Sequence, residues 1–462
     1  MRCLLFACLL LGSLPSFALD RFQVEGYTLP NGLQLLLKPG ADRGHVAIRL
    51  VVGVGLDDFN CADKELPHLL EHLLFSGIDA TGEGGLEERM QALGGEWNAY
   101  TSNADTTFVI EAPAKNQRKV LDLLLALLTQ TRIDDNAINA AKQVVEREDG
   151  GHYTHLQRWL DRQDLGHTAS NQLAVELGLK CPQRAEVDHL TREQLEKVRT
   201  LWYAPNNMTL IMVGDLDRLL PAYLERAWGE LVAVDPSEHL PLPEIRSSAA
   251  HERTLSSGFV GDGAKLHWLV PEPVLEDEHD ETFDLLKDYL DWALYRQMRL
   301  VHSLSYGPSA ERELFGGVGF MSLNADLERD DVPQAERVLE ALKAQLLKDG
   351  LDADTFNRLK QAAIARQAWA VQGNSALADY YWSALGDYED GRFADPAREL
   401  QGVTLEEANK ALRELLLQPG YLRIEKPLMG DDQLMWVIAG VLGLLVFGLL
   451  GWRLYRRTPP TV

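Results

Sequence analysis

Residues 66–77 read LPHLLEHLLFSG and place His68, Glu71 and His72 inside a leucine-rich run. On a helix, positions four apart lie one turn above each other, so the two imidazoles share a face and can bind one metal ion. Glu71 sits beside them, close enough to take a proton from a water at the metal. The arrangement is H-x-x-E-H, the reverse of H-E-x-x-H. Two partly buried structural histidines are the alternative reading of the same run. A catalytic zinc takes three protein ligands and leaves one open position, so a further ligand has to come from elsewhere in the chain. Glu146, Glu148 and Asp149 crowd the C-terminal end of the predicted helix AINAAKQVVEREDGG, where acidic groups oppose the helix dipole and a divalent cation would compensate. A solvated charged end before Gly150 and Gly151 explains the segment equally well. His152, His155 and His167 lack a helical context and read as surface histidines.

The elements that position these groups follow a plan that occurs twice. GLQLLLKP and HVAIRLVVGVG read as strands ahead of the His68 helix, and DTTFVIEA as a third strand. Helices are expected near 114–130 and 135–149, then a helix opened by the Thr191-Arg-Glu-Gln capping signal and the strand MTLIMVGD. Residues 229–250 have the proline-rich, small-polar composition of a linker. Beyond it KLHWLVPEP, a helix near 280–300, FGGVGFMSLNADL and long helices from 332 repeat strand, helix, strand, helices. The expected fold class is α+β: two similar domains of mixed sheet packed with helices. The boundaries are 20–228 for a zinc-binding domain and 251–430 for a second domain without the histidine pair.

The ends locate the chain. Residues 1–19, from Arg2 through an apolar core to Ser16-Phe17-Ala18, read as a signal peptide. An uncleaved anchor and lipidation at Cys8 are the alternatives. Residues 434–452 carry no charge, have Trp436 and Trp452 at their edges and match the thickness of a bilayer, so they read as one transmembrane helix. Asp431 and Asp432 precede that span, and Arg453, Arg456 and Arg457 follow it, which puts the tail 453–462 in the cytoplasm and the body in a bacterial periplasm. The 462 residues, 46% hydrophobic and 25% charged, suffice for more than one core, and a net charge of −24 argues against nucleic acid and for solubility or cationic ligands. Cys61 and Cys181 are the cysteines outside 1–19, and an oxidising compartment permits one bond between them.

Several motifs in order resemble the insulinase/pitrilysin family of inverted-zincin metallopeptidases, especially its short members akin to the mitochondrial processing peptidase. They are YTLPNGLQLLLKP, HLLEHLLFSG, GGEWNAYTSNADTTFVIEAP, VVERE, HLTREQLEKVRTLWYAPNNMTLIMVGD, and Arg299 to Tyr306 in the second half. The resemblance implies one Zn2+ per chain held by His68, His72 and Glu148, with Glu71 as general base on the metal's water. It implies that Asn98, Ala99 and Tyr100 lie on an edge strand that pairs with an extended peptide. It further implies that Arg299 and Tyr306 reach the substrate across a chamber, the tyrosine assisting the oxyanion. Where relatives often carry an acidic residue two turns before the third ligand, this chain has Ala141. The pair of domains resembles half of a four-domain clamshell. That implies a homodimer, or a heterodimer with a related inactive subunit. The expected function is a membrane-anchored zinc endopeptidase; a non-catalytic peptide-binding or scaffold subunit is the other class.

Overall fold

The computed structural model describes residues 20–76, 83–150, 168–182, 186–235, 237–246, 249–273 and 280–457. The expected leader 1–19, the histidines at 152, 155 and 167, and residues 458–462 of the tail lie outside the described residues.

The first half opens with strands β1 (Glu25–Thr28), β2 (Gln34–Pro39) and β3 (His45–Val52). Helices α1 (Leu66–Ser76) and α2 (Glu83–Ala92) follow, then β4 (Glu96–Thr101) and β5 (Thr106–Pro113). Next come α3 (Gln117–Gln130), α4 (Asp135–Gly150), α5 (Ala169–Glu176), α6 (Arg192–Trp202), β6 (Met208–Gly214) and α7 (Leu220–Trp228). The strands form one sheet in the order β1-β2-β6-β3-β5-β4, with β2 and β6 parallel and the other neighbours antiparallel. β3 and β6 are buried on both faces and mostly apolar, as strands covered on two sides are. Val46, Ile48, Leu50 and Val52 of β3 enter the main core with Leu69, Leu70, Leu73 and Leu74 of α1, while Ala47 and Val51 enter a second cluster on the opposite face.

The described residues of 229–250 form no helix or strand. The second half comprises β7 (Glu252–Ser256), β8 (Gly263–Pro271), α8 (Asp280–Leu294), which continues as a π-helical stretch over Tyr295–Val301, β9 (Ser309–Phe315) and β10 (Val318–Glu328). Then follow α9 (Val332–Asp349), α10 (Ala353–Ala370), α11 (Asn374–Ser383), α12 (Pro396–Gly402), α13 (Leu405–Leu417), β11 (Tyr421–Lys426) and α14 (Asp431–Arg457). Its sheet runs β7-β11-β8-β10-β9, again with a single parallel pair, β7 with β11. Strand for strand this is the first sheet without β1: β8 stands where β3 does, and the edge strand β9 where β4 does.

The packing crosses the linker twice. α11 of the second half covers the outer face of the first sheet, where Leu377, Ala378 and Tyr381 meet Val51, Ile211 and Val213. α5 of the first half covers the second sheet, where Leu173 and Leu177 meet Leu269, Phe320 and Tyr421. Each outer face also buries an arginine. Arg49 of β3, 1% exposed, donates to Asp379 of α11 at 2.7 Å and Glu111 of β5 at 2.8 Å. Arg423 of β11, 0% exposed, donates to Glu176 of α5 at 2.8 Å, and Arg253 of β7 holds the other oxygen of that carboxylate. The halves are thus two units in chain order but one interleaved packing unit.

The last helix, α14, is 27 residues long, and its stretch Asp431–Leu450 is apolar enough to cross a membrane, its apolar window not buried by any of the described residues. Cys61, just ahead of α1, is disulfide-bonded to Cys181, just after α5, with the Cα atoms 5.3 Å apart.

Candidate metal centre

α1 carries two stripes. Leu66, Leu69, Leu70 and Leu73 are buried, and this stripe fixes the roll of the helix against the sheet. His68, Glu71, His72 and Phe75 recur at the same spacing on the other side and line one cleft with Asn98, Ala99, Tyr100, Thr101 and Glu148. The chain must turn sharply between β3 and α1: a Cβ on Gly55 would sit 2.3 Å from the Asn103 carbonyl oxygen, so only glycine fits that approach.

The third acidic group arrives on α4 for an equally local reason. Ile138, Ala141 and Val145 form its core-facing stripe, all less than a tenth exposed. Glu148 lies three residues beyond Val145 on that stripe, whereas Glu146 is rotated away from it. The hydrophobic pattern of α4 therefore carries Glu148, rather than Glu146, over α1. Lys142 holds the helix in place by donating to the Asp188 and Leu190 carbonyl oxygens at 2.8 and 2.7 Å.

His68 Nε2, His72 Nε2 and Glu148 Oε2 form a triangle. The histidine nitrogens are 3.3 Å apart, and each is 3.3 Å from the carboxylate oxygen. Three ligands bound tetrahedrally at zinc's usual 2.0–2.1 Å would stand about 3.3 Å from one another, so the donor set fits the ion in both type and spacing. Among the described residues this is the one cluster of three histidine or acidic side chains with that potential.

The surroundings of the triangle orient His68. His68 Nδ1 lies 3.0 Å from Glu65 Oε2; a carboxylate can only accept, so Nδ1 carries the proton and the Nε2 lone pair faces Glu148. Glu65 is only 6% exposed. Burial alone would lower the His68 pKa, but the bond to Glu65 and the negative charges of Glu65, Glu71 and Glu148 outweigh it and raise the value. Burial likewise pushes Glu65 up, and the bond to His68 with the charge of Lys64 reverses that to a net lowering. Glu71 stays outside the triangle and accepts a 2.7 Å hydrogen bond from Thr101 Oγ1 on β4, which fixes its carboxylate against the cleft. Beneath it the Tyr203 phenol is kept neutral, its ionisation pushed up by burial and by the charge of Glu71.

β4 is an edge: it pairs with β5 on one side, and no strand of the described residues takes the other. Asn98 donates to the Tyr100 hydroxyl at 3.0 Å, and the Tyr100 ring, 50% exposed, stacks on Trp382 of α11 with centroids 6.4 Å apart. Arg299 and Tyr306 are not part of this cleft. Arg299 lies on the π-helical stretch, places its guanidinium 4.2 Å above the Tyr306 ring and donates to the Tyr306 carbonyl at 2.8 Å, with the Tyr306 side chain turned to solvent. Within a single chain the structure gathers His68, Glu71, His72, Glu148, Asn98, Ala99 and Tyr100, but not Arg299 or Tyr306.

Glu65, Thr101 and Tyr203 escape the motif reading. For Glu65 a usable signal existed, an acid three residues before the first histidine at the opening of the helix. Nothing in the sequence marks Thr101 or Tyr203 as neighbours of Glu71.

Residues 40–183 match the family model of insulinase (peptidase family M16), and residues 189–363 that of the peptidase M16 inactive domain. The chain belongs to peptidase family M16. An uncharacterized zinc protease of Bacillus subtilis, YmxG, is 20% identical over 422 residues, covering 87% of this chain and 98% of that protein. The mitochondrial-processing peptidase subunit beta of Saccharomyces cerevisiae is 25% identical over 225 residues, and the match spans just under half of that relative, 46%. Among solved structures, a protease from Helicobacter pylori superposes with a TM-score of 0.72 at 17% identity, covering 88% of this chain and 100% of that one. The periplasmic protease PqqL from Escherichia coli gives 0.69 at 19% identity over 87% of this chain and 47% of its own length. These likenesses fix the M16 fold: two α+β halves, the first with the metal-type cleft and the second matching the inactive domain.

Proposed function

We propose that this M16 chain is a zinc endopeptidase, anchored to the bacterial inner membrane by α14 with its body in the periplasm, that cleaves extended peptides or small unfolded proteins. The observation that carries the reading is the triangle of His68, His72 and Glu148 with Glu71 beside it and an open strand edge along the same cleft.

In this mechanism His68, His72 and Glu148 hold one Zn2+. When bound, the ion acidifies a water and polarises the scissile carbonyl. The work of the protein's own groups follows from their placement. An extended peptide adds to the free edge of β4 through main-chain hydrogen bonds, which favours backbone over side-chain selection and sets the scissile bond beside Asn98 and Ala99. Glu71, aimed by Thr101, takes the proton of the attacking water and passes it to the leaving amine. Glu65 keeps the His68 tautomer that leaves Nε2 unprotonated, and so orients that ligand from the start of α1. Since Arg299 and Tyr306 lie outside the cleft of their own chain, the reading places them in the cleft of a second chain. That chain is a second copy or a related inactive subunit, and the Tyr306 hydroxyl would there donate to the developing oxyanion.

The test is cleavage of a quenched fluorogenic peptide together with elemental analysis. Wild type should carry one zinc per chain, lose activity to phenanthroline and regain it with added zinc. His72→Ala should lose both metal and cleavage. Equal, chelator-insensitive turnover by His72→Ala would refute the assignment. Full activity from a chain shown to be monomeric by gel filtration of the detergent-solubilised protein would refute the shared site.

A further inference from the structure

α14 is not joined to the body by a slack linker. β11 ends at Lys426 and α14 begins at Asp431, and the residues between are bonded to the loop that leads from β7 into β8. The N–H groups of Leu428 and Met429 donate to the Gly258 and Phe259 carbonyl oxygens at 3.0 Å, and Gly261 N–H donates back to Met429 at 3.1 Å. Asp431 N–H, at the first turn of the helix, donates to Asp262 Oδ1 at 3.0 Å. Arg329, at the end of β10, donates to the carbonyl oxygens of Pro427 and Leu428. Val260 bridges Met429 in parallel, so the loop advances alongside the chain toward the start of the apolar helix. Phe259 and Val260 are each 38% exposed at this tip and Leu428 is 53% exposed, with exposed Met435 and Trp436 one turn further on.

We infer that Phe259, Val260 and Leu428 form a lipid-contact surface that rests in the headgroup layer of the bilayer that α14 crosses. The inference depends on the proposed reading of α14 as a span and adds to it a docked orientation for the second half. Lipid is the occupant because the apolar tip is continuous with the apolar helix. The Gly258 and Phe259 carbonyl groups and the Gly261 N–H are already hydrogen-bonded within the protein, so these backbone groups need no water as the tip approaches lipid. Asp262, Asp330, Asp331, Asp431 and Asp432 outnumber Arg329 and Lys426 in the segments that adjoin this tip, a net negative charge that anionic headgroups would repel. The partner surface is therefore zwitterionic.

The experiment uses the full chain with Cys3 and Cys8 replaced by serine and nitroxide labels placed singly through Phe259→Cys, Leu428→Cys, Leu442→Cys and Leu219→Cys. Depth is read from collisions with oxygen against a water-soluble nickel chelate in vesicles of phosphatidylethanolamine and phosphatidylcholine. Leu442 lies within the span, and Leu219, 65% exposed on the first half, is the aqueous reference. Labels at 259 and 428 should read within about 5–10 Å of the headgroup–acyl boundary. They should move outward when phosphatidylglycerol is added. If 259 and 428 match Leu219 while Leu442 reads hydrocarbon, the contact surface is refuted and the span stands. If Leu442 itself reads water, the span reading fails and the contact surface falls with it. Deeper insertion on adding phosphatidylglycerol would overturn the zwitterionic assignment.

Discussion

The two halves solve the space between their opening helix and edge strand in opposite ways. In the first, the gap between α1 and β4 holds Glu71 against Thr101 and leaves a cleft in front of three metal-type donors. In the second, Arg312 of the edge strand β9 spans the equivalent gap, forking onto Glu272 at 2.8 and 2.9 Å and reaching Asp284 of α8 at 2.7 Å. The same strand order is therefore stable with this gap closed by ion pairs or left open. The open cleft is not something the fold requires, and its polar groups have to be explained by chemistry. The second half, with no histidine on α8, keeps the scaffold and gives up the pocket.

The sharpest way to break this contrast is a matched pair of neutral substitutions. Glu71→Gln should lower peptide turnover by about 10²–10⁴-fold while zinc stoichiometry by elemental analysis stays at the parent value. Asp284→Asn on the second half should leave turnover nearly unchanged, and comparable losses from both would end the division into active and inactive halves. Next in size is the contrast between the buried arginines. Glu176→Ala strands Arg423 and should cost about 3–5 kcal/mol in denaturant unfolding. Asp379→Ala should cost about 1 kcal/mol or less, because Asp379 is half exposed and Arg49 keeps Glu111. Equal costs would show that the reciprocal contacts are not weighted as their burial implies.

Glu65→Ala should weaken zinc binding about 10–100-fold by competition with a chromophoric chelator, and Glu65→Gln, which keeps an acceptor for His68 Nδ1, by less. An unchanged affinity in Glu65→Ala would remove it from the site. The smallest effect is on pH. His68 binds metal only when neutral, and its pKa without metal is raised above the ordinary 6.5, through Glu65 overcoming burial. Below that raised value His68 carries a proton that zinc must displace, so apparent zinc affinity should fall toward tenfold per pH unit there, and the fall should begin at lower pH in Glu65→Ala. Identical profiles in the two proteins would contradict the electrostatic account.

Much of the fold could be read from apolar spacing. The double-sided burial of HVAIRLVV, the leucine stripe of α1 and the box between Thr191 and Gln194 are local patterns, and each appears as the helix or strand that its pattern implies. Of the candidate residues, those placed by helical periodicity meet in one cleft. The sequence alone left Glu146, Glu148 and Asp149 open; the stripe Ile138, Ala141 and Val145 explains why Glu148 is the one carried over α1. What could not be read depends on partners far apart in sequence. Cys61 and Cys181 are 120 residues apart, Arg49 finds Asp379 across 330, and α5 and α11 each leave the half that their position suggests. Glu65 carried one weak signal, its place three residues before His68, but an acid two residues ahead of Pro67 also reads as an ordinary helix start.

The interleaving of α5 and α11 limits how a substrate can enter. With each sheet roofed by a helix from the opposite half, and each roof pinned through an enclosed guanidinium, swinging the halves apart would tear open two apolar layers at once. The two halves are built to move together rather than hinge. In the proposed two-chain assembly, a chamber over the free edge of β4 would open at the seam between the chains, where association and admission of substrate become one event.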